Sequence, residues 1–398
     1  MNQTTGQIRE PKCPYFSLPG SPKTPDGLKD GEGRKCGGCA TQHLTYETQL
    51  KNKKERLIHE LGGYDKVKVF SDDEWFYRNR MDMTFTPFGL GFREKGHWWR
   101  TVPVQQCVIS NPKLNGLITE INEFFGPDFD YFNVKTHEGT YKYATIRTPQ
   151  NDSSVTIVIN KDSERCDEAV KRVGEYAKVS SANHVLLLSV RAKSSQSFGD
   201  EYEVLKGSDM LEETLLGKKL RYSSQGFFQN NSVMADKMHE YVHGLLKSYR
   251  KGEYAHLLDL YGGVGAFGIV NASLFHKVTT IEDYEGCTIA ARENVTLNGL
   301  DNIEAICMDA KRLKQVRLPE KELYVVTDPP RAGMHEETII HLRKLKPEKI
   351  IYISCNVEQL GKDLPKFKDY KITSAALFDL FPQTNHMESV VELIQKVS

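Results

Sequence analysis

From about residue 256 onward, short apolar runs alternate with amphipathic segments. Apolar runs occupy 256–261, 278–283, 303–307, 323–328 and 349–354, and helical patterns occupy 265–275, 286–298, 335–345 and 357–365. Apolar runs without polar alternation are strands buried on both faces, and helices returning between them bury those faces. The pattern predicts an α/β fold built on a doubly wound, mostly parallel sheet. Open sheets of this kind take ligands in the crevice at the carboxyl ends of their strands. The residues that close each run, among them Glu282, Asp328 and Cys355, are therefore the first candidates for chemistry.

The remaining chain is organised differently. Residues 12–40 are rich in Pro, Gly and Lys and hold three of the eight cysteines. Residues 44–61 have a helical pattern stopped by Gly62-Gly63. The stretch from about 67 to 205 favours strands, notably 75–85, 141–148, 155–160 and 184–191, with 194–200 as a linker. Residues 225–231 read as a loop that caps a helix over 232–249. The expected division is a segment 1–43, a helical segment 44–66, a β-rich central unit 67–218 that includes Cys107, and an α/β unit 219–398.

The chain has 398 residues with 53 basic and 53 acidic side chains, which excludes nucleic-acid binding through net charge alone. A local basic groove would suffice. Lys51–Arg56 and Lys311–Arg317 are candidates, and each taken alone reads as a solvated helix face. No apolar stretch is long enough to span a membrane, and the N-terminus has no signal-peptide core. A monomer in the cytosol is expected. Its cysteines should be reduced, so paired spacings point to metal or catalysis before disulfides.

The sequence Asp259-Leu-Tyr-Gly-Gly-Val-Gly-Ala-Phe-Gly268 follows a strand and opens a helix, as in nucleotide-type cofactor sites. Gly263, Gly265 and Gly268 let the backbone approach a ligand closely. Glu282 ends the next strand, twenty positions after Gly262, where an acid binds ribose hydroxyls. Asp309 follows the third strand and either contacts an adenine or caps a helix. Asp328-Pro-Pro-Arg331 ends the fourth strand, and its prolines fix the turn. Cys355 closes the fifth strand before a helix whose N-terminus would stabilise a thiolate; a cysteine can also pack as a small apolar group. Glu388 lies in an apolar setting, where burial would raise its pKa toward that of a useful general base. Cys36-Gly-Gly-Cys39 with Cys13 and Cys107 makes a four-thiolate set that by spacing fits zinc or an iron–sulfur cluster equally well. Cys166, Cys287 and Cys307 read as core residues.

Taken together these residues resemble the S-adenosylmethionine-dependent RNA uridine-5-methyltransferases, the family of the bacterial 23S rRNA and archaeal tRNA enzymes. The resemblance rests on Lys12-Cys-Pro-Tyr-Phe16, Cys36-Gly-Gly-Cys-Ala-Thr-Gln-His43 with Tyr46 and Gln49, Phe227-Phe-Gln-Asn-Asn231, Asp259–Gly265, Asp328–Gly333, Ser354-Cys-Asn356 and His386-Met-Glu388, in family order. It implies a Rossmann-like class I methyltransferase unit over 219–398 that binds S-adenosylmethionine, a β-rich RNA-binding central domain, and a helix after Cys39 that packs on the catalytic domain. Cys355 would be the nucleophile and Glu388 the base. Gln229, Tyr261, Glu282 and Asp328 would bind cofactor or the target base. Cys13, Cys36, Cys39 and Cys107 would hold a [4Fe–4S] cluster, and rRNA or tRNA would be the partner. Two departures stand out. The small β-barrel with which many relatives begin is not expected here, and the gap between Cys13 and Cys36 is longer than is usual. Gly262 stands where relatives often have cysteine.

The chemistry implied is covalent. A thiolate added to uracil C6 gives C5 carbanion character. C5 then takes the methyl group, and a base removes the C5 proton. The uridine must leave its stack, with Phe227 and Phe228 as the expected aromatic shelf. Competing readings are RNA cytosine-5 methylation, whose cysteine normally stands beside the fourth-strand proline, and a non-catalytic RNA-binding metalloprotein.

Overall fold

In the computed structural model, which describes residues 6–18, 35–126, 129–199, 201–248 and 252–396, the alternating runs come together in one eight-stranded sheet. Its order is Val67–Phe70, Tyr370–Phe378, Glu388–Gln395, Lys349–Ser354, Leu323–Thr327, His256–Leu260, Lys277–Glu282 and Ile303–Cys307. The five strands from Lys349–Ser354 to Ile303–Cys307 are mutually parallel. Glu388–Gln395 runs antiparallel between Lys349–Ser354 and Tyr370–Phe378. This is the doubly wound Rossmann-like arrangement with one reversed strand. Helices cover both faces, and Leu258, Val325, Ile350 and Val326, Ile351, Ile353 fill separate cores on the two sides.

The second sheet has seven strands in the order His97–Pro103, Gly89–Glu94, Arg80–Thr86, Tyr141–Arg147, Ser154–Asn160, His184–Val190 and Tyr202–Lys206. Helices Pro112–Phe125 and Cys166–Val179 lie in the region read as strand-forming. They bury Leu114, Leu117, Ile121 and Val173 against this sheet. Asn111 caps the first by accepting from Leu114 N, and proline occupies its first turn, a standard helix start.

Connections between the two units are extensive. Strand Val67–Phe70 pairs in parallel with Tyr370–Phe378, so these residues belong to the catalytic sheet. Helix Tyr46–Glu60 buries Leu57 in a core shared with Leu360. Position 218/219 falls in a hairpin, Met210–Leu215 with Lys218–Ser223. The hairpin buries Leu211, Leu220 and Tyr222 against Val264, Ile269 and Ala290 of the cofactor-loop region. The Lys51–Arg56 stretch is not simply a solvated face. Lys53 is buried and bonds Asp379 Oδ1 at 2.6 Å, and Arg56 pairs with Glu358. Cys307 is exposed at a sheet edge, not in the core; Cys166 and Cys287 are half-buried. Most of the insertion between Cys13 and Cys36 lies outside the described residues. Among those described, no helix is long and apolar enough to cross a membrane.

Candidate active site

Strand register brings the two reactive candidates together. Lys349–Ser354 and Glu388–Gln395 pair antiparallel with Ser354 opposite Ser389. Continued one step past that last pair, the register leads to Cys355 and Glu388, whose charge acts on the Cys355 thiol; Glu388 itself pairs with Phe378 on its other side. Asp328 ends the neighbouring strand, and Arg331 of the Pro-Pro turn lies close enough to the Cys355 sulfur to favour its thiolate. Gly333 N donates to Pro330 O at 2.8 Å to close that turn. Asn356 Nδ2 ties it to the cysteine strand through Arg331 O at 2.9 Å.

Charge in this cluster is dominated by acids. Burial, followed by the charge of Asp328, pushes the Glu388 carboxyl well above the usual range, against the pull of Arg331. Burial likewise moves Asp328 up to about 7. The Cys355 thiol is pushed up to about 11 by burial, then by Glu388 and Asp328, with Arg331 opposing. The helix expected after Cys355 is present as Val357–Asp363, capped by Asn356. It does not bring the thiol down in this state, because desolvation and two carboxylates outweigh it.

The glycine loop sits at the carboxyl end of His256–Leu260. Gly263 and Gly265 have φ of +54° and +84°, a region glycine enters freely. Tyr261 adopts +59° without that freedom, a strain that persists only where the surroundings impose it. A Cβ on Gly262 would stand 2.3 Å from Thr280 Cγ2 and 2.9 Å from Asp259 Oδ2. Thr280 and Asp259 thus leave no room for a side chain at position 262. Glu282 accepts from Gly263 N and Tyr284 N, both at 3.0 Å. Asp259, not singled out from the sequence, is buried and accepts from Gly268 N at 3.0 Å, pinning the loop to its helix. Its signal was an acid inside an otherwise apolar strand. Asp309 realises the cap, accepting from Lys311 N at the start of Ala310–Gln315.

The loop 225–231 packs beside the glycine loop. Phe228 is 7% exposed, stacked on Tyr222 with centroids 4.2 Å apart, and shares a core with Val264. Phe227 is 66% exposed, so only it is available as a shelf. Asn79 N donates to Asn230 O at 2.9 Å, and Arg147 donates to Gly226 O, strapping the loop to the second sheet. Gln229 lies half-buried between these anchors.

The four candidate thiols also converge. Cys13, Cys36, Cys39 and Cys107 line one cavity of about 190 Å³ with Gln42 and Arg78. Cys36 N donates to Tyr15 O at 2.8 Å and Gly37 N to Arg93 O at 3.1 Å, joining both cysteine loops to the second sheet. Burial pushes Cys36 and Cys39 up to about 12, and neighbouring thiolates add to this. Among the described residues, no three His, Cys, Asp or Glu side chains are gathered to hold a single metal ion.

Residues 45–396 match the family model described as tRNA (uracil-5-)-methyltransferase. The chain belongs to that family. The tRNA (uracil(54)-C(5))-methyltransferase of Pyrococcus horikoshii is 33% identical over 362 residues, covering 90% of this chain and 84% of the relative. An RNA methyltransferase of Caldanaerobacter subterraneus subsp. tengcongensis, described as uncharacterized, is 33% identical over 91% of this chain and 83% of its own length. The crystal structure of Pyrococcus abyssi tRNA (uracil-54, C5)-methyltransferase in complex with S-adenosyl-L-homocysteine superposes with a TM-score of 0.75 and 29% identity. It covers 90% of this chain and 86% of that one.

In this uracil-C5 methyltransferase the family match takes in Cys107, the glycine loop, Cys355 and Glu388, whereas Cys13, Cys36 and Cys39 precede it. S-adenosylmethionine is the methyl donor. The loop fits it in two respects: open space where a Cβ on Gly263 would stand, and the Glu282 carboxylate held beside that glycine. Arg331, quoted from the sequence only as part of its motif, is the cation beside the sulfur.

Proposed function

We propose that this methyltransferase methylates C5 of a uridine in tRNA, with Cys355 as nucleophile and Glu388 as proton acceptor. The register that leads to Cys355 and Glu388 carries the assignment, because addition at C6 and deprotonation at C5 address adjacent ring atoms. Two Pyrococcus relatives named for uracil 54 of tRNA, 33% and 32% identical, favour tRNA over rRNA. Asp328-Pro-Pro-Arg, with no cysteine beside its prolines, weighs against cytosine methylation.

S-adenosylmethionine supplies an electrophilic methyl group on a sulfonium. Gly263, Gly265, Glu282 and Tyr261 would hold it, with Gln229 and Asp328 at the boundary with the base; Asp309, as a helix cap facing Tyr261, would support the adenine side. Phe227 would stack on the flipped uracil. Arg331 would stabilise the Cys355 thiolate, whose sulfur forms a bond to C6 and leaves C5 nucleophilic. After methyl transfer, Glu388 would take the C5 proton, and the C6–sulfur bond would break to restore Cys355. The seven-stranded sheet would carry the surrounding RNA. The test is incubation with tritiated S-adenosylmethionine and unmodified tRNA or 23S rRNA transcripts, followed by nucleoside analysis. Label in 5-methyluridine of tRNA is expected; label only in 5-methylcytidine, or only in rRNA, would overturn the assignment.

The four thiols support a [4Fe–4S] cluster rather than zinc. One zinc ion draws its sulfurs to about 2.3 Å, whereas a cluster holds four cysteines around a larger body. A cavity of about 190 Å³ lined by all four thiols leaves room for the larger body. Protein purified without oxygen is expected to be brown and to contain iron and sulfide in equal amounts. Zinc without sulfide would refute the cluster.

A further inference from the structure

Glu388 lies at the end of a loop that begins at Asp379, and that loop is held almost entirely from outside the catalytic sheet. Lys53 bonds Asp379 Oδ1 at 2.6 Å and Phe381 O at 3.1 Å. Tyr77 OH donates to Pro382 O at 2.9 Å, and Arg56 Nη1 to Asn385 O at 3.0 Å. The centre of the arrangement is Gln383, fully buried and with a φ of +67°. Its N–H donates to Gln49 Oε1 at 3.0 Å. Its carbonyl accepts from Ala40 N at 2.8 Å and Thr41 N at 3.1 Å. Its Oε1 accepts from Arg9 Nη2 at 3.1 Å and Gln49 Nε2 at 3.0 Å, and its Nε2 donates to Glu74 Oε2 at 2.7 Å. These partners all lie between residues 9 and 74, and Ala40 directly follows Cys39.

A left-handed glutamine is strained and persists only where its surroundings over-determine it. Here every polar group of the residue is engaged. On its far side Glu388 is fixed by strand pairing; on its near side the loop has this clamp. We propose that Gln383 is a positioning residue for the proton-removal step, coupling the segment that bears Cys36 and Cys39 to the placement of Glu388. This rests on Glu388 being the base. Reaching a C5 proton demands placement to within a fraction of an ångström, and misplacement by 1 Å costs about 100-fold. Loosening the clamp would therefore slow the step after methyl transfer and leave earlier steps intact.

The decisive variant is Gln383→Gly, because glycine accepts the backbone conformation while removing the side chain. Gln49→Ala removes two of the clamp's bonds from the other side, those to Gln383 N and Oε1. With full-length protein, S-adenosylmethionine and natural tRNA, both variants should lose about 10- to 100-fold in kcat with KM for tRNA little changed. Both should accumulate a covalent protein–RNA adduct visible on a denaturing gel, which a merely structural loss would not produce. Amides 384–387 should exchange faster in both variants. If Glu388→Gln accumulates adduct and these variants do not, the coupling is wrong and the base assignment stands. If Glu388→Gln accumulates none, the base assignment falls and the coupling with it. A rise in KM with unchanged kcat would also overturn the proposal.

Discussion

Cys355→Ala is expected to abolish methyl transfer, by about 10⁴-fold or more, the scale on which enzymes lose activity when a covalent nucleophile is removed. The folded state should survive, because Cys355 is half-buried at a strand end and alanine occupies less space. S-adenosylmethionine affinity should be unchanged, since the glycine loop is held independently through Asp259 and Glu282. RNA carrying 5-fluorouridine should trap the native protein and not the variant, because fluorine cannot leave C5 as a cation. Equilibrium dialysis and a denaturing gel check both halves. A Cys355→Ala protein with ordinary turnover would remove covalent catalysis from this site.

Glu388→Gln should separate the two halves of the reaction. The amide keeps the shape and hydrogen-bonding reach of the carboxyl but does not accept a proton at neutral pH. Addition and methyl transfer should proceed once, and the methylated RNA should then remain attached to Cys355. Turnover should fall by at least about 10²-fold, the contribution typical of a positioned base. The variant should also lower the Cys355 pKa, because Glu388 is the largest charge raising it. Trapping by 5-fluorouridine RNA near neutral pH should accordingly be no slower than in the native protein. Free methylated RNA at the native rate, with no adduct, would assign the proton to another group.

The parallel part of the catalytic sheet was legible because strands buried on both faces leave uninterrupted apolar runs. Tyr370–Phe378 and Glu388–Gln395 were not, because charged residues interrupt such runs. Lys349 and Glu392 are paired inside the sheet at 2.5 Å, a neutralisation that only the fold reveals. Helices Pro112–Phe125 and Cys166–Val179 were hidden in a region whose β-formers dominate local propensity, where packing on the second sheet decides. Motifs located Cys355, Glu388 and the glycine loop. They could not give the register that brings the first two together, nor show that Phe228 turns inward while Phe227 faces out. Gln383 carries no motif signal, because a glutamine between Pro382 and Thr384 reads as an ordinary turn.

The pairing of Val67–Phe70 with Tyr370–Phe378 has a consequence for the order in which this protein can be made. During synthesis this strand must wait for a partner about 300 residues further along the chain, and such distant pairings are slow to close. The seven-stranded sheet, formed from segments between Arg80 and Lys206, needs no such wait. Assembly should therefore begin in the middle of the chain, and the base should reach its place only when both ends have met. A ribosome-bound fragment ending before Tyr370 would have the glycine loop and Cys355 but no completed catalytic pair. Joining the proposed nucleophile to the proposed base thus waits on the pairing of Glu388–Gln395 between Lys349–Ser354 and Tyr370–Phe378.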